Sequence, residues 1–210
     1  MEIECISCPP LGTNSFLVTC PNSRKSIVID PGRGSDRHWH DFLVKKDGWI
    51  EEIWLTHSHW DHIADCADLL LRWHCGLLIH EADKANLIEP GIDGLPIPIP
   101  ISESVPTRCI RDKELLTIGN MHAIVYHTPG HSPGGVCFYF EKEGVLFSGD
   151  TLFNGGMGTL ALPRTCRQDL MNSLKKLSKL PPETYVYPGH GKPTTIGESS
   201  WIQDPEKRFS

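Results

Sequence analysis

The stretch THSHWDH, residues 56–62, decides how the rest of the chain is interpreted. It places three imidazoles and one carboxylate within six residues, directly after the apolar run IWL at 53–55. Apolar residues at helical spacing follow, so we expect the cluster where a buried strand ends and a helix over about 61–73 begins. In open α/β sheets, ligands usually bind at that edge.

The spacing within this stretch has a chemical meaning. His57 and His59 are two residues apart on an extended backbone, so both side chains can project into one site. Asp61 and His62 follow as the chain turns into the helix, and we expect them to face a second position close by. Imidazole nitrogens and carboxylate oxygens are ligands that zinc, iron and manganese share. The pattern therefore predicts a metal site, and the alternative is a chance cluster of histidines on a solvated turn.

Length and composition narrow the function class. The 210 residues, 39% of them hydrophobic, are enough to bury one full core, so we expect a single domain over 1–210. The net charge of −6 argues against a nucleic-acid partner, which normally needs a clustered basic face. No apolar stretch approaches bilayer length, and the N-terminal MEIECISCPP lacks a signal-peptide pattern. We therefore expect a soluble, cytoplasmic protein without a membrane partner.

The eight cysteines are dispersed along the chain, and Cys5 and Cys8 form a lone C-x-x-C pair. A zinc ribbon would need a second pair at suitable spacing. A thioredoxin-like pair would lie ahead of a helix, whereas Pro9 and Pro10 follow here. The expectation is reduced, mostly structural thiols.

Four further strands are predicted to end beside a side chain with a candidate role at the metal site. Three of them lead into the turns TPGH with His131, SGD with Asp150 and PGHG with His190. The fourth, over 26–30, ends at Asp30, which is either a turn-former or a carboxylate that holds a metal-bound histidine from behind. These endings, together with THSHWDH, predict one site assembled at the edge of the sheets.

The remaining segments complete the predicted α/β architecture. A helix is expected over 35–46, capped by Ser35, and another over about 166–179. Residues 89–106 hold five prolines and two glycines, and they are interpreted as an extended loop rather than a domain linker. Strand–helix segments in each half predict two sheets packed face to face and flanked by helices, a four-layer αββα sandwich.

The segments THSHWDH, TPGHSPGG, SGDTLF and PGHG, in this order, resemble the metal motifs of the metallo-β-lactamase superfamily. The similarity is greatest to the short, single-domain glyoxalase II-like branch, that of hydroxyacylglutathione hydrolases. It covers nearly the whole chain, and the four motifs together are highly specific. The resemblance implies the metallo-β-lactamase fold and a metal-dependent hydrolase of thioesters.

The resemblance also implies two adjacent divalent metal ions. Zinc is the expected metal for both, with iron and manganese as alternatives. The implied ligands are His57, His59 and His131 for the first ion, Asp61, His62 and His190 for the second, and Asp150 between the two. A bridging hydroxide would attack the substrate, and Asp61 would be the catalytic residue that orients it in addition to binding metal. Close metal ions make such a nucleophile available at neutral pH.

One loop departs from the pattern of this branch. There, SGDTLF is usually followed by a turn of the form GxGRTD, whose basic residue is thought to help bind an anionic substrate. Here Thr159 and Ala161 stand in place of the arginine and the aspartate. Arg164, the nearest basic residue, is one candidate for substrate binding, with a plain surface arginine as the alternative. Lys192, beside the predicted metal edge, is a second candidate for contacting a substrate carboxylate.

The leading functional prediction is hydrolysis of a small-molecule thioester, with S-lactoylglutathione-like substrates first. A mononuclear-iron persulfide (sulfur) dioxygenase is the alternative enzyme, but that family typically lacks a second metal site, and His62 and His190 complete one here. A β-lactamase is disfavoured because those enzymes do not use a bridging carboxylate like Asp150. A non-catalytic metal-binding scaffold is supported by the altered loop after SGDTLF. Against it, a buried imidazole cluster is costly without a metal to hold.

Overall fold

The first half of the chain forms a six-stranded sheet whose strands lie in sequence order. In the computed structural model, which describes residues 1–208, these strands are β1 (Glu2–Cys8), β2 (Thr13–Thr19), β3 (Lys25–Ile29), β4 (Trp49–Trp54), β5 (Gly76–His80) and β6 (Arg108–Ile110). The first three pair antiparallel, and β3 to β6 pair parallel. The central strand β3 is buried along the apolar run IVI at 27–29, as expected for a parallel strand covered on both faces.

The second half forms another six-stranded sheet, again with its strands in sequence order. Its strands are β7 (Leu115–Ile118), β8 (Met121–His127), β9 (Val136–Phe140), β10 (Val145–Gly149), β11 (Tyr185–Pro188) and β12 (Thr194–Thr195). An antiparallel meander runs from β7 to β10, and β10 pairs parallel with β11. The sequence does not predict β12, because two residues show no periodicity.

Helices cover the outer faces of both sheets. They are α1 (Ser35–Val44), α2 (Trp60–Ile63), α3 (Cys66–Trp73), α4 (Ala85–Ile88), α5 (Arg167–Leu177) and α6 (Pro205–Arg208), with 3₁₀ turns at Glu81–Asp83 and Ser200–Gln203. Among the described residues, no helix is long and apolar enough to cross a membrane. All eight cysteines are free, as expected for structural thiols.

Three apolar layers hold these elements together. Trp54 of the first sheet and Phe138 of the second are fully buried between the sheets, with ring centroids 5.2 Å apart. The outer face of the first sheet packs on Trp39 of α1 and Leu69 of α3. The outer face of the second sheet packs on α5 through residues such as Leu174. This is the four-layer αββα sandwich that the sequence predicts, so the predicted fold class is confirmed.

The single helix predicted over 61–73 is wrong, because the chain breaks between α2 and α3. The backbone N–H of Asp65 donates to the carbonyl of Pro31 at 3.0 Å, instead of to the carbonyl one turn back in its own helix. This hydrogen bond to the loop after β3 interrupts the helix at Asp65 and ties that residue to the loop. Leu71, which the apolar spacing after residue 62 predicts on the inner face of this helix, is 76% exposed, and Leu69 takes the buried position.

The predicted cap of α1 is also wrong. Ser35 lies inside the helix, which follows Gly34 at a φ of 87°, and the Ser35 hydroxyl makes no hydrogen bond within the described residues. Instead, Oδ2 of Asp65 accepts a hydrogen bond from the backbone N–H of Asp36 at 2.9 Å. A carboxylate 29 positions away along the chain thus satisfies a free N–H at the start of the helix.

Candidate metal centre

Strand ends from both sheets deliver the predicted ligands to one edge of the sandwich. The loop THSHWDH follows β4 directly, and His131, Asp150 and His190 each lie within four residues after the ends of β8, β10 and β11. The sheets are joined at this edge, because the N–H of Val136 donates to the carbonyl of Thr56 at 2.8 Å. The predicted convergence of these turns is what the structure shows.

The first group of side chains is His57, His59 and His131, which are all buried and offer ligand atoms within 4.8 Å of one another. Nε2 of His57 lies 3.1 Å from Nδ1 of His59. The Nδ1 of His131 donates to the carbonyl of Thr159 at 3.0 Å, which turns its Nε2 toward the cluster. That Nε2 is buried and makes no hydrogen bond to any described residue.

The second group is Asp61, His62 and His190, and its ligand atoms also lie within 4.8 Å of one another. The Nε2 atoms of His62 and His190 are 3.3 Å apart, and each lies 3.4 Å from Oδ2 of Asp61. The Asp61 carboxylate is held by the hydroxyl of Thr13, which donates to Oδ2. Strand β2 therefore fixes a carboxylate that belongs to α2.

Asp150 lies between the two groups and faces both. Its Oδ2 is 3.3 Å from Nε2 of His131 and 3.5 Å from Nε2 of His190, and its Oδ1 is 3.5 Å from Nε2 of His62. Oδ1 is buried without a hydrogen-bond partner among the described residues. The backbone is packed tightly here, since a Cβ on Gly189 would lie 2.2 Å from this oxygen. The Asp150 carboxylate therefore lies within 3.5 Å of imidazole nitrogens from both groups, and its assignment as the residue between two metal ions stays a prediction.

Asp30 holds His62 from behind, as one of its two sequence interpretations predicts. Its Oδ2 accepts from Nδ1 of His62 at 3.0 Å, and its two oxygens also accept the N–H and the hydroxyl of Thr56. The residue is 1% exposed and has a φ of 51°, a left-handed conformation that a non-glycine residue adopts at a cost. With these bonds made, Asp30 supports the cluster instead of facing it.

Two supporting side chains were not predicted from the sequence. Asp83 is buried, and its oxygens accept the backbone N–H groups of Ser58 at 3.2 Å and Gly134 at 2.6 Å. It therefore joins the THSHWDH loop to the loop that carries His131. Asn14 donates from Nδ2 to the carbonyls of Pro188 and Gly191, both at 2.9 Å, and so fixes the turn that carries His190.

The electrostatics of the cluster favour bound cations. Burial first, and then neighbouring imidazoles, lower the pKa of His57 and bring that of His59 to about 3, so both rings are neutral and able to bind metal. At His62, burial lowers the pKa, but the carboxylates of Asp61 and Asp150 outweigh it and raise the pKa to about 10. The same position that attracts a proton attracts a metal cation.

The donor set fits two divalent ions. Histidine nitrogens and carboxylate oxygens are ligands of zinc, iron and manganese. Nε2 of His131 and Oδ1 of Asp150, both buried and unpartnered among the described residues, are explained by a bound cation. The His/Asp cluster therefore suggests a dinuclear metal site, with Asp150 between the two positions.

A cavity of about 480 Å³ opens above the cluster. Its floor is formed by His59, Asp61, His131, Asp150 and His190, and its walls by Leu11, Trp60, Leu95, Pro96, Phe153, Met157, Thr159 and Leu162. The predicted substrate residues Arg164 and Lys192 are exposed and do not line it. The guanidinium of Arg164 donates to the carbonyl of Ala82 at 3.5 Å, and its charge contributes to the lowered pKa of His59.

Comparisons with known proteins show which family and fold this chain shares. The family model described as Metallo-beta-lactamase superfamily matches residues 8–190. Hydroxyacylglutathione hydrolase GloC of Haemophilus influenzae is 32% identical over 211 residues, which cover 94% of each chain. The crystal structure of BLEG-1 B3 metallo-beta-lactamase has a TM-score of 0.87 at 32% identity, over 94% of this chain and 96% of that one. TTHA1623 in a di-iron-bound form has a TM-score of 0.81 at 32% identity, with the same coverage.

Proposed function

Because this chain belongs to the metallo-β-lactamase superfamily, we propose that it is a metal-dependent hydrolase of small-molecule thioesters. The observation that carries the proposal is the complete inward-facing set of seven side chains beneath an open cavity. The likeness to a hydroxyacylglutathione hydrolase supports a thioester as the substrate. Hydrolysis adds water across the C–S bond, so that a carboxylic acid and a thiol leave.

The two groups of ligands define where the chemistry takes place. His57, His59 and His131 would hold one ion and Asp61, His62 and His190 the other, with Asp150 contacting both. We propose zinc as the metal, with iron and manganese as alternatives. The crystal structure of TTHA1623 in a di-iron-bound form is the observation that supports the iron alternative. When bound, two such ions supply an activated water at neutral pH and polarise the substrate carbonyl.

The side chains of the chain itself position the reaction. Asp61 is held by Thr13 on one side and faces His62 and His190 on the other, so its carboxylate is fixed toward the cavity floor. We assign it the catalytic role of orienting the attacking water as well as binding metal. Trp60 and Phe153 in the cavity walls place apolar surface beside the floor of ligands.

β-Lactam hydrolysis is the second candidate, and the likeness to BLEG-1 is the observation that favours it. Asp150 supports the thioesterase, because its carboxylate faces both ligand groups and the resemblance to the glyoxalase II-like branch implies a carboxylate between the two ions there. A persulfide dioxygenase, the alternative raised by the sequence, needs one iron only, and the complete second group disfavours it.

The test pairs elemental analysis of the purified protein with turnover of S-lactoylglutathione by the same sample. We expect close to two metal ions per chain and thioester hydrolysis, both lost in Asp150→Ala and kept in Asp47→Asn, a substitution at an exposed turn. One iron per chain with oxygen consumption on glutathione persulfide would overturn the proposal in favour of the dioxygenase. Hydrolysis of nitrocefin without hydrolysis of thioesters would favour the β-lactamase.

A further inference from the structure

The walls of the cavity above the cluster are almost entirely apolar. They come from three separate parts of the chain: the turn after β1, the loop over 89–106 and the loop after Asp150. The apolar side chains they contribute are Leu11, Leu95, Pro96, Phe153, Met157 and Leu162, beside Trp60. A volume of about 480 Å³ falls within the usual range for small-molecule sites, about 300 to 1,000 Å³.

Two side chains in these walls carry a polar group, the hydroxyl of Thr159 and the indole N–H of Trp60. The hydroxyl of Thr159 accepts a hydrogen bond from the N–H of Ala161 at 3.2 Å, and its carbonyl accepts from His131. Outside the cluster itself, the described lining residues therefore offer one hydroxyl and one indole N–H to a ligand, and no charged side chain.

No lysine or arginine lines the cavity in the part of the chain that the structure describes. Arg164 donates to the carbonyl of Ala82 outside the lining, although its charge still reaches His59 in the floor and helps lower the pKa of that ring. Arg208 donates to the carbonyl of Gly155 at 3.0 Å and lies over the ring of Trp201. Lys192 is exposed outside the lining. The net charge of −6 adds no long-range attraction for an anion.

We propose that both parts of the substrate that extend from the reactive carbonyl, the acyl chain and the thiol, lie against these walls and are uncharged, so that acyl thioesters of a neutral thiol are preferred over glutathione thioesters. This inference rests on the proposed thioesterase function. Glutathione carries two carboxylates, and desolvating either against these walls without a cationic partner is unfavourable. An alkyl chain instead gains from burial against Leu95, Met157 and Leu162. The flexible thioether of Met157 can adapt to chains of different length.

The deciding experiment uses the full, metal-loaded chain with two hexanoyl thioesters, one of glutathione and one of the neutral thiol N-acetylcysteamine. We expect kcat/KM to be at least tenfold higher for the neutral ester. Within the N-acetylcysteamine series from acetyl to hexanoyl, kcat/KM should rise by about fourfold per added methylene until the cavity is filled, since burying one CH₂ contributes about 0.8 kcal/mol. Binding of the matching S-hexyl thioethers, measured by calorimetry, should show the same preference.

A variant that adds a positive charge tests whether the uncharged cavity walls determine the substrate preference. Leu162→Arg places a cation at the cavity, so it should lower kcat/KM for the neutral ester and raise it for the glutathione ester. Leu71→Arg, at a leucine 76% exposed on α3, is the matched control and should leave both values unchanged. A wild-type preference for the glutathione ester, or no dependence on acyl length, would overturn the inference while leaving the thioesterase intact. Failure to hydrolyse any of these esters with both metals bound would overturn the proposed function itself.

Discussion

Nδ1 of His62 donates a hydrogen bond to Oδ2 of Asp30 at 3.0 Å, and both side chains are at most 1% exposed. This bond fixes the tautomer of His62 and turns its Nε2 toward Asp61, Asp150 and His190. A carboxylate behind a metal-binding histidine raises its basicity and orients its ring. Asp30, which directly follows β3, therefore sets the orientation of one of the candidate metal ligands.

Asp30→Asn should weaken metal binding by about 10- to 100-fold, because the amide no longer presents a charged acceptor to His62. The fold should persist, since asparagine tolerates the left-handed backbone and can still accept from the N–H of Thr56. Competition with a chelator measures the affinity. Asp47→Asn is the matched control, because Asp47 shares the φ of 51° but is exposed far from the cluster. Equal metal affinity in the two variants would show that Asp30 does not support the site.

Asp83→Ala should lower the free energy of unfolding by about 2 to 4 kcal/mol, because two buried N–H groups, those of Ser58 and Gly134, lose their shared acceptor. Denaturant unfolding measures the change. Glu81→Ala removes an exposed carboxylate from the same 3₁₀ turn and should leave the free energy of unfolding close to that of the wild type. If both variants are equally stable, the proposed connection between the two ligand loops is wrong.

Gly189→Ala should abolish retention of metal, because the added Cβ would lie 2.2 Å from Oδ1 of Asp150 and 2.9 Å from Cε1 of His62. Such contacts force the carboxylate or the ring to move. Gly156→Ala is the control in a neighbouring loop, where a Cβ meets nothing within 4 Å. Metal content after dialysis distinguishes the two, and a fully loaded Gly189→Ala protein would contradict the tight packing described here.

The stacked pair of His80 and His127, with ring centroids 4.0 Å apart, predicts a pH effect on stability. Burial and then the charge of His127 lower the pKa of His80 below its ordinary value of 6.5. The folded state therefore binds fewer protons than the unfolded state in this range, so stability is highest above about pH 6.5 and falls as the pH drops toward the folded-state pKa.

Replacing His80 by glutamine should reduce this loss. Denaturant unfolding at about pH 7.5 and about pH 5.5 measures it, and the difference between wild type and His80→Gln isolates His80, because the ligand histidines are the same in both proteins. His38→Gln, at an exposed position on α1, should behave like wild type. An unchanged pH dependence in His80→Gln would show that the stack does not disfavour protonation.

The sequence predicts the sandwich and the convergence of ligands because both follow from local patterns. Apolar runs such as residues 27–29 predict central strands, and a polar residue directly after a strand, such as Asp150, must lie at the edge of a sheet. For the same reason Asp30 was a candidate, as either a turn-former or a carboxylate behind a metal-binding histidine, and its hydrogen bond to His62 favours the second interpretation. The architecture, the family and the grouping of these side chains all agree with the structure.

What the sequence could not supply depends on partners far apart in the chain. Asp83 contacts Gly134, 51 positions later, and Asp65 replaces Ser35 as the acceptor at the start of α1. Neither carboxylate stands in a motif, so no spacing points to it. The break before α3 has the same origin, since the carbonyl of Pro31 takes the N–H of Asp65. The roles of Arg164 and Lys192 in substrate binding stay predictions, and both side chains lie outside the cavity walls.

The most direct test of the account is a metal titration of chelator-stripped protein, followed by the initial rate of thioester hydrolysis with the neutral hexanoyl ester. The account predicts that the rate rises until about two equivalents of zinc per chain have been added and then stays constant, because both ligand groups contribute to one reaction. A rate that is already maximal at one equivalent, or no hydrolysis at any metal content, would contradict a dinuclear thioesterase.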